Sequence, residues 1–124
     1  MSISTVADLL ATKGKRQLVL TTAFDAWTAK AAEESGIDMI LAWGETLEHS
    51  KWVIDSVRQG APNTLIGSGL PSIGAYSSEA EALRLAGELR AAGNDIVYCS
   101  GLVPEKFAAL SRQHYPCCGH VGNL

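Results

Sequence analysis

Short apolar runs alternate with amphipathic stretches along the whole chain, and turn residues separate the two kinds of segment. The apolar runs cover residues 18–24, 38–43, 64–68, 95–99 and 117–121. Segments with helical spacing of apolar residues lie between these runs, and one more, 6–11, precedes the first. Each connection is long enough for a crossover, so neighbouring strands are expected to run parallel in right-handed βαβ units. The sequence therefore predicts an α/β fold with about five strands.

Residues that cap helices precede the amphipathic stretches, and glycines follow them. The predicted N-caps are Asp25, Thr46 and Ser78, the last in a capping box with Glu81. The predicted helix ends are Gly36, Gly60 and Gly93, and Pro104 suits the first turn of the last helix. Trp52 is expected to share a buried face with Val53 and Val57, and Trp27 is also expected in the core.

Two architectures fit this pattern. Five parallel strands suit an open, doubly wound, flavodoxin-like sheet, and they equally suit the first half of an eight-stranded (β/α)8 TIM barrel. Periodicity does not decide between them. A final strand with no helix after it favours the partial barrel, with residues 1–124 as a single domain.

The composition limits the classes of partner. The chain has 124 residues and a formal net charge of −3, and no cluster of Lys and Arg offers a surface to nucleic acid or to an anionic membrane. Residues 1–12 lack the basic and apolar blocks of a secretory signal, so we expect a cytoplasmic protein. Cys99, Cys117 and Cys118 form no disulfide or zinc pattern and are expected to be small buried residues.

In parallel α/β folds, sites form at the carboxyl ends of the strands. The titratable side chains predicted there are Asp25, Glu45 and His120. Two carboxylates and an imidazole can hold a hard cation, whereas Asp25 and Glu45 can also serve only as helix caps or dipole partners. His120 lies between glycines and is either a site residue or a structural histidine. Trp43 is the tryptophan expected near a pocket.

Several spaced motifs resemble the first half of the ketopantoate hydroxymethyltransferase family. The segments that carry the resemblance are residues 3–6, 13–15, 20–25, 28–30, 36–41, 58–63, 70–71, 78–83, 91–93 and 119–122. The resemblance implies a (β/α)8 barrel of the phosphoenolpyruvate/isocitrate-lyase type. It also implies transfer of a hydroxymethyl group from 5,10-methylenetetrahydrofolate to the keto acid 3-methyl-2-oxobutanoate, with Mg²⁺ stabilising the enolate.

The resemblance carries over to the site residue by residue, with departures. The family's Gly-Asp-Ser corresponds to Gly44-Glu45-Thr46, its second metal Asp to Gly69, and its Lys-Leu-Glu to Tyr98-Cys99-Ser100. His120 matches without change. The implied site therefore has His120 as catalytic residue, Thr46, Tyr98, Ser100 and His120 as substrate ligands, and Glu45 as a metal ligand.

Three functions remain open from the sequence. The first is a hydroxymethyltransferase relative, and the second is a non-catalytic half barrel that acts as an interaction module. The third is another keto-acid lyase or isomerase built on Asp25, Glu45 and His120. Because a half barrel leaves strand edges and apolar faces uncovered, we expect a homo-oligomer or a complementary half barrel as partner.

Overall fold

The computed structural model describes residues 3–71, 78–100 and 104–120, without the side chains of Cys99 and Ser100. Helices and strands alternate along the chain as the sequence predicts. The helices are α1 Val6–Ala11, α2 Ala26–Glu34, α3 Leu47–Gly60, α4 Glu79–Ala91 and α5 Pro104–Arg112. The strands are β1 Leu20–Thr22, β2 Met39–Leu41, β3 Leu65–Ser68, β4 Ile96–Ser100 and β5 Cys117–His120. The predicted last strand extends to Val121, which lies outside the described residues.

The five strands form one parallel sheet in the order β1-β2-β3-β4-β5. Each strand pairs with its neighbour in sequence, whereas a flavodoxin-like sheet reverses its strand order at a switch point. The open flavodoxin-like alternative is therefore wrong. Successive right-handed crossovers in one direction place the helices on one face of the sheet, which is the arrangement of a (β/α) barrel.

Two apolar clusters lie on the two faces of this sheet. The larger one packs α2 to α5 against alternate strand residues, with Ile40, Ile66 and Val97 at its centre. The smaller one contains Met39, Leu65 and Ile96 on the opposite face, and Ile3 before α1 is buried in it. In β2, β3 and β4 the period-two alternation thus buries side chains on both faces near the amino ends of the strands.

Local capping fixes where the helices begin. Asp25, Thr46 and Ser78 each accept a hydrogen bond from the backbone amide three residues later, as predicted. The Glu81 carboxylate, predicted to complete a capping box, pairs with Arg84 instead. Gly60, predicted to follow α3, is its last residue.

The tryptophans on the helices are not in the core. Trp27 and Trp52 are 85% and 62% exposed, so the prediction that both are buried is wrong. The buried positions of α2 are Ala29 and Ala32, and a residue at position 27 lies on nearly the opposite side of that helix. Trp52 stands in the same relation to the buried face of α3, which contains Ser50, Val53, Ile54 and Val57.

The cysteines of β5 also differ from the prediction. Cys118 is exposed and Cys117 is half-buried. Within the described residues β5 pairs only with β4, so its side chains have a neighbouring strand on one side only. In the described part of the chain no helix is long and apolar enough to cross a membrane.

A buried carboxylate anchors the entry to the sheet and makes stability depend on pH. Asp38 accepts hydrogen bonds from Arg16 Nη1 at 3.2 Å and from the Val19 amide at 2.8 Å. The Arg16 guanidinium, assisted by that amide, lowers the pKa of Asp38 below its ordinary value. Because the folded pKa is the lower one, Asp38 stabilises the fold fully above about pH 4, and this contribution is lost as the pH falls through the folded pKa.

We expect the Asp38→Asn variant to be less stable at pH 7 by about 2 kcal/mol, because hydrogen bonds to a charged acceptor are lost. The difference from the parent protein should shrink as the pH is lowered to about 3. Urea denaturation at both pH values measures this. Asp55→Asn is the matched control, since Asp55 is exposed on α3. An equal response of the two variants to pH would contradict the role given to Asp38.

Candidate active site

The carboxyl ends of the strands bring the predicted site residues to one edge of the sheet. Phe24 and Asp25 follow β1, Glu45 lies beyond β2, and His120 is the last residue of β5. The consecutive parallel order makes this edge continuous from β1 to β5. The residues lie along the edge in chain order, with β3 and β4 between the residues that follow β2 and His120 on β5.

Asp25 is held as a helix cap. Its Oδ1 accepts a hydrogen bond from the Thr28 amide at 2.7 Å, and its Oδ2 accepts one from the Thr28 hydroxyl at 3.2 Å. The Thr28 amide is the main reason why the pKa of Asp25 is lowered. The carboxylate is therefore ionised at neutral pH and engaged with α2, in agreement with the capping alternative.

The loop after β2 is rigid. The Gly44 amide donates to the Ser50 hydroxyl at 3.0 Å, and that hydroxyl donates to the Gly44 carbonyl at 3.1 Å, with Ser50 fully buried. Thr46 Oγ1 accepts from the His49 amide at 3.1 Å, and the Glu45 amide lies 3.4 Å from His49 Nδ1. The Thr46 hydroxyl thus acts as the N-cap of α3. The Glu45 side chain is exposed.

The end of β3 leaves no room for a side chain at Gly69. A Cβ atom built on Gly69 would lie 2.6 Å from the carbonyl oxygen of Tyr98 on the adjacent strand. That distance is far shorter than a van der Waals contact, and the crowding atom belongs to backbone that cannot rotate away. A residue larger than glycine therefore requires β3 and β4 to move apart at this point.

At the other end of the edge, β4 and β5 place three predicted substrate ligands side by side. Tyr98 pairs in register with Cys118, and Ser100 pairs with His120. Tyr98 is half-buried and His120 is exposed. The structure therefore brings the backbone positions of Tyr98, Ser100 and His120 together, and leaves Thr46 and Glu45 nearer β2.

Two aromatic residues form a pair at this edge, and the sequence analysis predicted a position near a pocket for only one of them. Phe24 and Trp43 contact each other with ring centroids 4.8 Å apart and planes at 82°. Both rings are exposed, to 41% and 45%. Trp43 was expected near a pocket, but Phe24 was not singled out, because no local pattern shows which residue of β1 meets which residue of β2.

Two grooves lie at the opposite, amino edge of the sheet. One of about 550 Å³ is lined by Arg58, Asn63, Arg90 and Asn94, among others. The other, of about 470 Å³, is lined by Arg16, Glu33 and Asp38 together with Asn63. Amino-edge positions in barrels serve stability, and Arg16 and Arg58 are paired here with Asp38 and Asp95.

The described residues do not match the magnesium site that the family resemblance implies. No group of three His, Cys, Asp or Glu side chains in residues 3–71, 78–100 and 104–120 is close enough to hold a metal ion. Asp25 is engaged as a cap, and Gly69 has no space for a carboxylate. Glu45 alone is a poor ligand set for Mg²⁺, which is held by carboxylates in a near-octahedral shell.

Comparisons with known proteins match nearly the whole chain. The family model described as ketopantoate hydroxymethyltransferase matches residues 3–124. A 3-methyl-2-oxobutanoate hydroxymethyltransferase of Kosmotoga olearia is 32% identical over 94% of this chain and 50% of its own length. A protein of the same name from Thermosipho melanesiensis is 36% identical over 78% of this chain and 42% of its own length. The chain therefore spans about half the length of the curated relatives it matches.

The fold has a solved counterpart. The crystal structure of 2,3-dimethylmalate lyase, a member of the PEP mutase/isocitrate lyase superfamily, superposes with a TM-score of 0.66 at 12% identity. The superposition covers 96% of this chain and 53% of the lyase. At this identity the likeness shows the fold alone, and it agrees with the consecutive strand order of a partial barrel.

Proposed function

This chain belongs to the ketopantoate hydroxymethyltransferase family, and from that premise we propose that it acts in hydroxymethyl transfer to 3-methyl-2-oxobutanoate. The observation that carries the proposal is the family match over residues 3–124, a range that includes His120 at the end of β5. The one-carbon donor is 5,10-methylenetetrahydrofolate. We expect this activity in the cytoplasm, without nucleic acid or membrane as partner.

The proposed chemistry begins at C3 of the keto acid. A base removes the C3 proton, the resulting enolate carbon attacks the methylene carbon of the donor, and water completes the hydroxymethyl group as tetrahydrofolate leaves. We propose that the His120 imidazole touches the keto acid and donates a hydrogen bond to the oxygen that becomes negative in the enolate. The substrate is also proposed to bind Ser100, which pairs in register with His120, Tyr98 two residues earlier on β4, and Thr46.

The proposed chemistry contains no step that requires magnesium. The family resemblance gives Glu45 as its remaining ligand, and the described carboxylates supply no second one. Enolate stabilisation is assigned to hydrogen-bond donors of this chain instead. Such donors are effective when they are fixed in place before the negative charge develops.

The activity is proposed to require a covered inner sheet face. Val19 and Leu20 at β1 are 53% and 42% exposed, and Cys118 and His120 on β5 are exposed as well. Among the described residues, β1 and β5 each pair on one side only. A second copy of the chain or a complementary half barrel would satisfy these edges and enclose the site.

The crowding at Gly69 supports a second candidate function, a non-catalytic half barrel that serves as an interaction module. The Tyr98 carbonyl occupies the space in which a side chain at position 69 would begin, so this position contributes no functional group. Under this alternative the fold is kept and its chemistry is lost. Substrate turnover separates the two candidates.

The test is deuterium exchange at C3 of 3-methyl-2-oxobutanoate, followed by proton NMR in D₂O with and without added Mg²⁺. We expect loss of the C3 proton signal above a protein-free control, and a rate at least about tenfold lower for His120→Ala. His114→Asn is the matched control, because His114 is exposed and asparagine tolerates its positive φ of 61°.

Exchange that is equal in the parent and in His120→Ala would remove His120 from the reaction. No exchange from a protein whose methyl signals are well dispersed would overturn catalysis by this chain or by copies of it, and leave the interaction module. Exchange that depends on added Mg²⁺ would contradict the conclusion that residues 3–71, 78–100 and 104–120 do not match a magnesium site.

A further inference from the structure

All the tryptophans of this chain are exposed. Trp27, Trp52 and Trp43 expose 85%, 62% and 45% of their surface. Trp43 differs from the other two because it follows a strand at the carboxyl edge and contacts Phe24, which is 41% exposed. Large aromatic side chains gain most by burial, so an exposed aromatic pair at the edge where barrels bind ligands indicates a binding surface.

The two rings form a right-angled corner. Their centroids are 4.8 Å apart and their planes meet at 82°. In such a corner a planar ligand can lie flat against one ring while its edge meets the face of the other. Both contacts are favourable arrangements of aromatic quadrupoles, which an aliphatic ligand cannot form.

The backbone holds this corner in place before any ligand arrives. The amide of Ala23, next to Phe24, donates to the Leu41 carbonyl at 3.2 Å, and the amide of Ala42, next to Trp43, donates to the Gly67 carbonyl at 3.0 Å. Gly44 on the other side of Trp43 is clamped by the buried Ser50 hydroxyl. A surface that is already ordered binds without paying the entropy of ordering it.

Two carboxylates flank the corner in sequence. Asp25 directly follows Phe24, and Glu45 is two residues beyond Trp43. The Asp25 carboxylate is engaged with Thr28 at the start of α2, so the acceptor assigned to a ligand is the exposed Glu45 carboxylate. Carboxylates only accept hydrogen bonds, so they favour a ring that presents adjacent N–H donors. The amino-pyrimidinone edge of a pterin has such donors, whereas adenine alternates donors and acceptors.

We propose that Phe24 and Trp43 form a stacking site for a planar heteroaromatic ring with adjacent N–H donors, and that this ring is the pterin of the one-carbon donor. The planarity of the ring follows from the aromatic corner, and its N–H donors follow from the exposed Glu45 carboxylate two residues beyond Trp43. The choice of pterin among such rings rests on the proposed function. Glu45 is thereby assigned a role as hydrogen-bond acceptor.

The test uses two single-tryptophan proteins. Trp27→Phe combined with Trp52→Phe leaves Trp43 as the fluorophore, and Trp27→Phe combined with Trp43→Phe leaves Trp52. Each is titrated with 6-hydroxymethylpterin and, separately, with adenosine. We expect saturable quenching by the pterin in the Trp43 protein, and only the non-saturable absorption by the ligand in the Trp52 protein. Circular dichroism confirms that both proteins are folded.

Further variants measure the separate contributions of the aromatic ring and of the carboxylate to pterin binding. In the Trp43 protein, Phe24→Leu should weaken pterin binding about tenfold through the loss of stacking. Glu45→Gln should weaken it about fivefold, because a charged acceptor becomes neutral. Unchanged affinity in Phe24→Leu, or saturable quenching in the Trp52 protein, would overturn the corner as the site. Adenosine binding as tight as pterin binding would overturn the assignment of the ring.

Deuterium exchange of the keto acid needs no pterin, so the two proposals fail separately. Exchange without saturable quenching would overturn the stacking site alone. Quenching by pterin without exchange would overturn the enzymatic proposal while confirming the ring site.

Discussion

Replacing Gly60 with alanine is expected to destabilise the protein by about 3 kcal/mol. A Cβ atom on Gly60 would lie 1.9 Å from the carbonyl oxygen of Ala26 and 2.7 Å from its carbonyl carbon. These are backbone atoms in the first turn of α2, so relief requires the two packed helices to separate. Alanine gains up to about 1 kcal/mol of helix propensity over glycine, which is too little to offset the clash.

Gly87→Ala is the matched control for Gly60→Ala. Gly87 is also a helical glycine, but a Cβ there would meet only the Tyr115 hydroxyl at 3.2 Å, the far end of a side chain that can move. We expect Gly87→Ala to be neutral or slightly stabilising. Urea denaturation followed by circular dichroism gives both free energies of unfolding. If the two variants proved equally stable, the close approach of α2 and α3 at Gly60 would be wrong.

Replacing Arg58 with alanine is expected to cost about 3 kcal/mol, because one side chain ties together the entries to two strands. Its Nη1 donates to the Thr64 carbonyl at 2.8 Å before β3. Its Nη2 donates to the Gly93 carbonyl at 2.9 Å and to Asp95 Oδ2 at 2.7 Å before β4. The same Asp95 oxygen accepts from the Ile66 amide at 2.9 Å. Removal of the guanidinium leaves these half-buried acceptors without their donor.

Two further variants test whether the stability depends on the planar guanidinium of Arg58 and not on an arginine charge in general. Arg58→Lys keeps the charge but not the planar fork, so it should recover less than half of the lost stability. Arg84→Ala removes an exposed arginine that pairs with Glu81 one turn away, and it should cost about 0.5 kcal/mol or less. Urea midpoints of the three variants provide the comparison. An Arg58→Ala protein as stable as Arg84→Ala would show that the network contributes nothing.

The sequence did not predict the structural role of Arg58, although it singled out the segment that contains this residue. Residues 58–63 carry part of the family resemblance, but spacing alone gives no partner for Arg58. Its acceptors are as far as 37 residues away at Asp95. A hydrogen bond of that span depends on the packing of α3 beside β3 and β4, and no local pattern reports it.

For the candidate site, too, the sequence predicted the positions of residues along the chain but not their contacts with distant residues. The sequence placed Asp25, Glu45 and His120 at strand ends, and the parallel sheet puts them on one edge. It did not reveal that Phe24 meets Trp43, because a ring contact between neighbouring strands depends on register. The sequence showed only that Gly69 stands where the family has an aspartate. The structure shows that the Tyr98 carbonyl leaves no space for a side chain at this position.

The alternation of strands and helices, the α/β class and the caps at Asp25, Thr46 and Ser78 could all be predicted from the sequence. These features depend on residues within one turn or one strand of each other, and local hydrogen bonds and periodicity specify them. The consecutive strand order, the exposure of Trp27 and Trp52, and the requirement for glycine at position 60 became visible in the folded structure. Each of these follows from contacts between elements distant in sequence, where the available space and the partner atoms are set by how the elements pack.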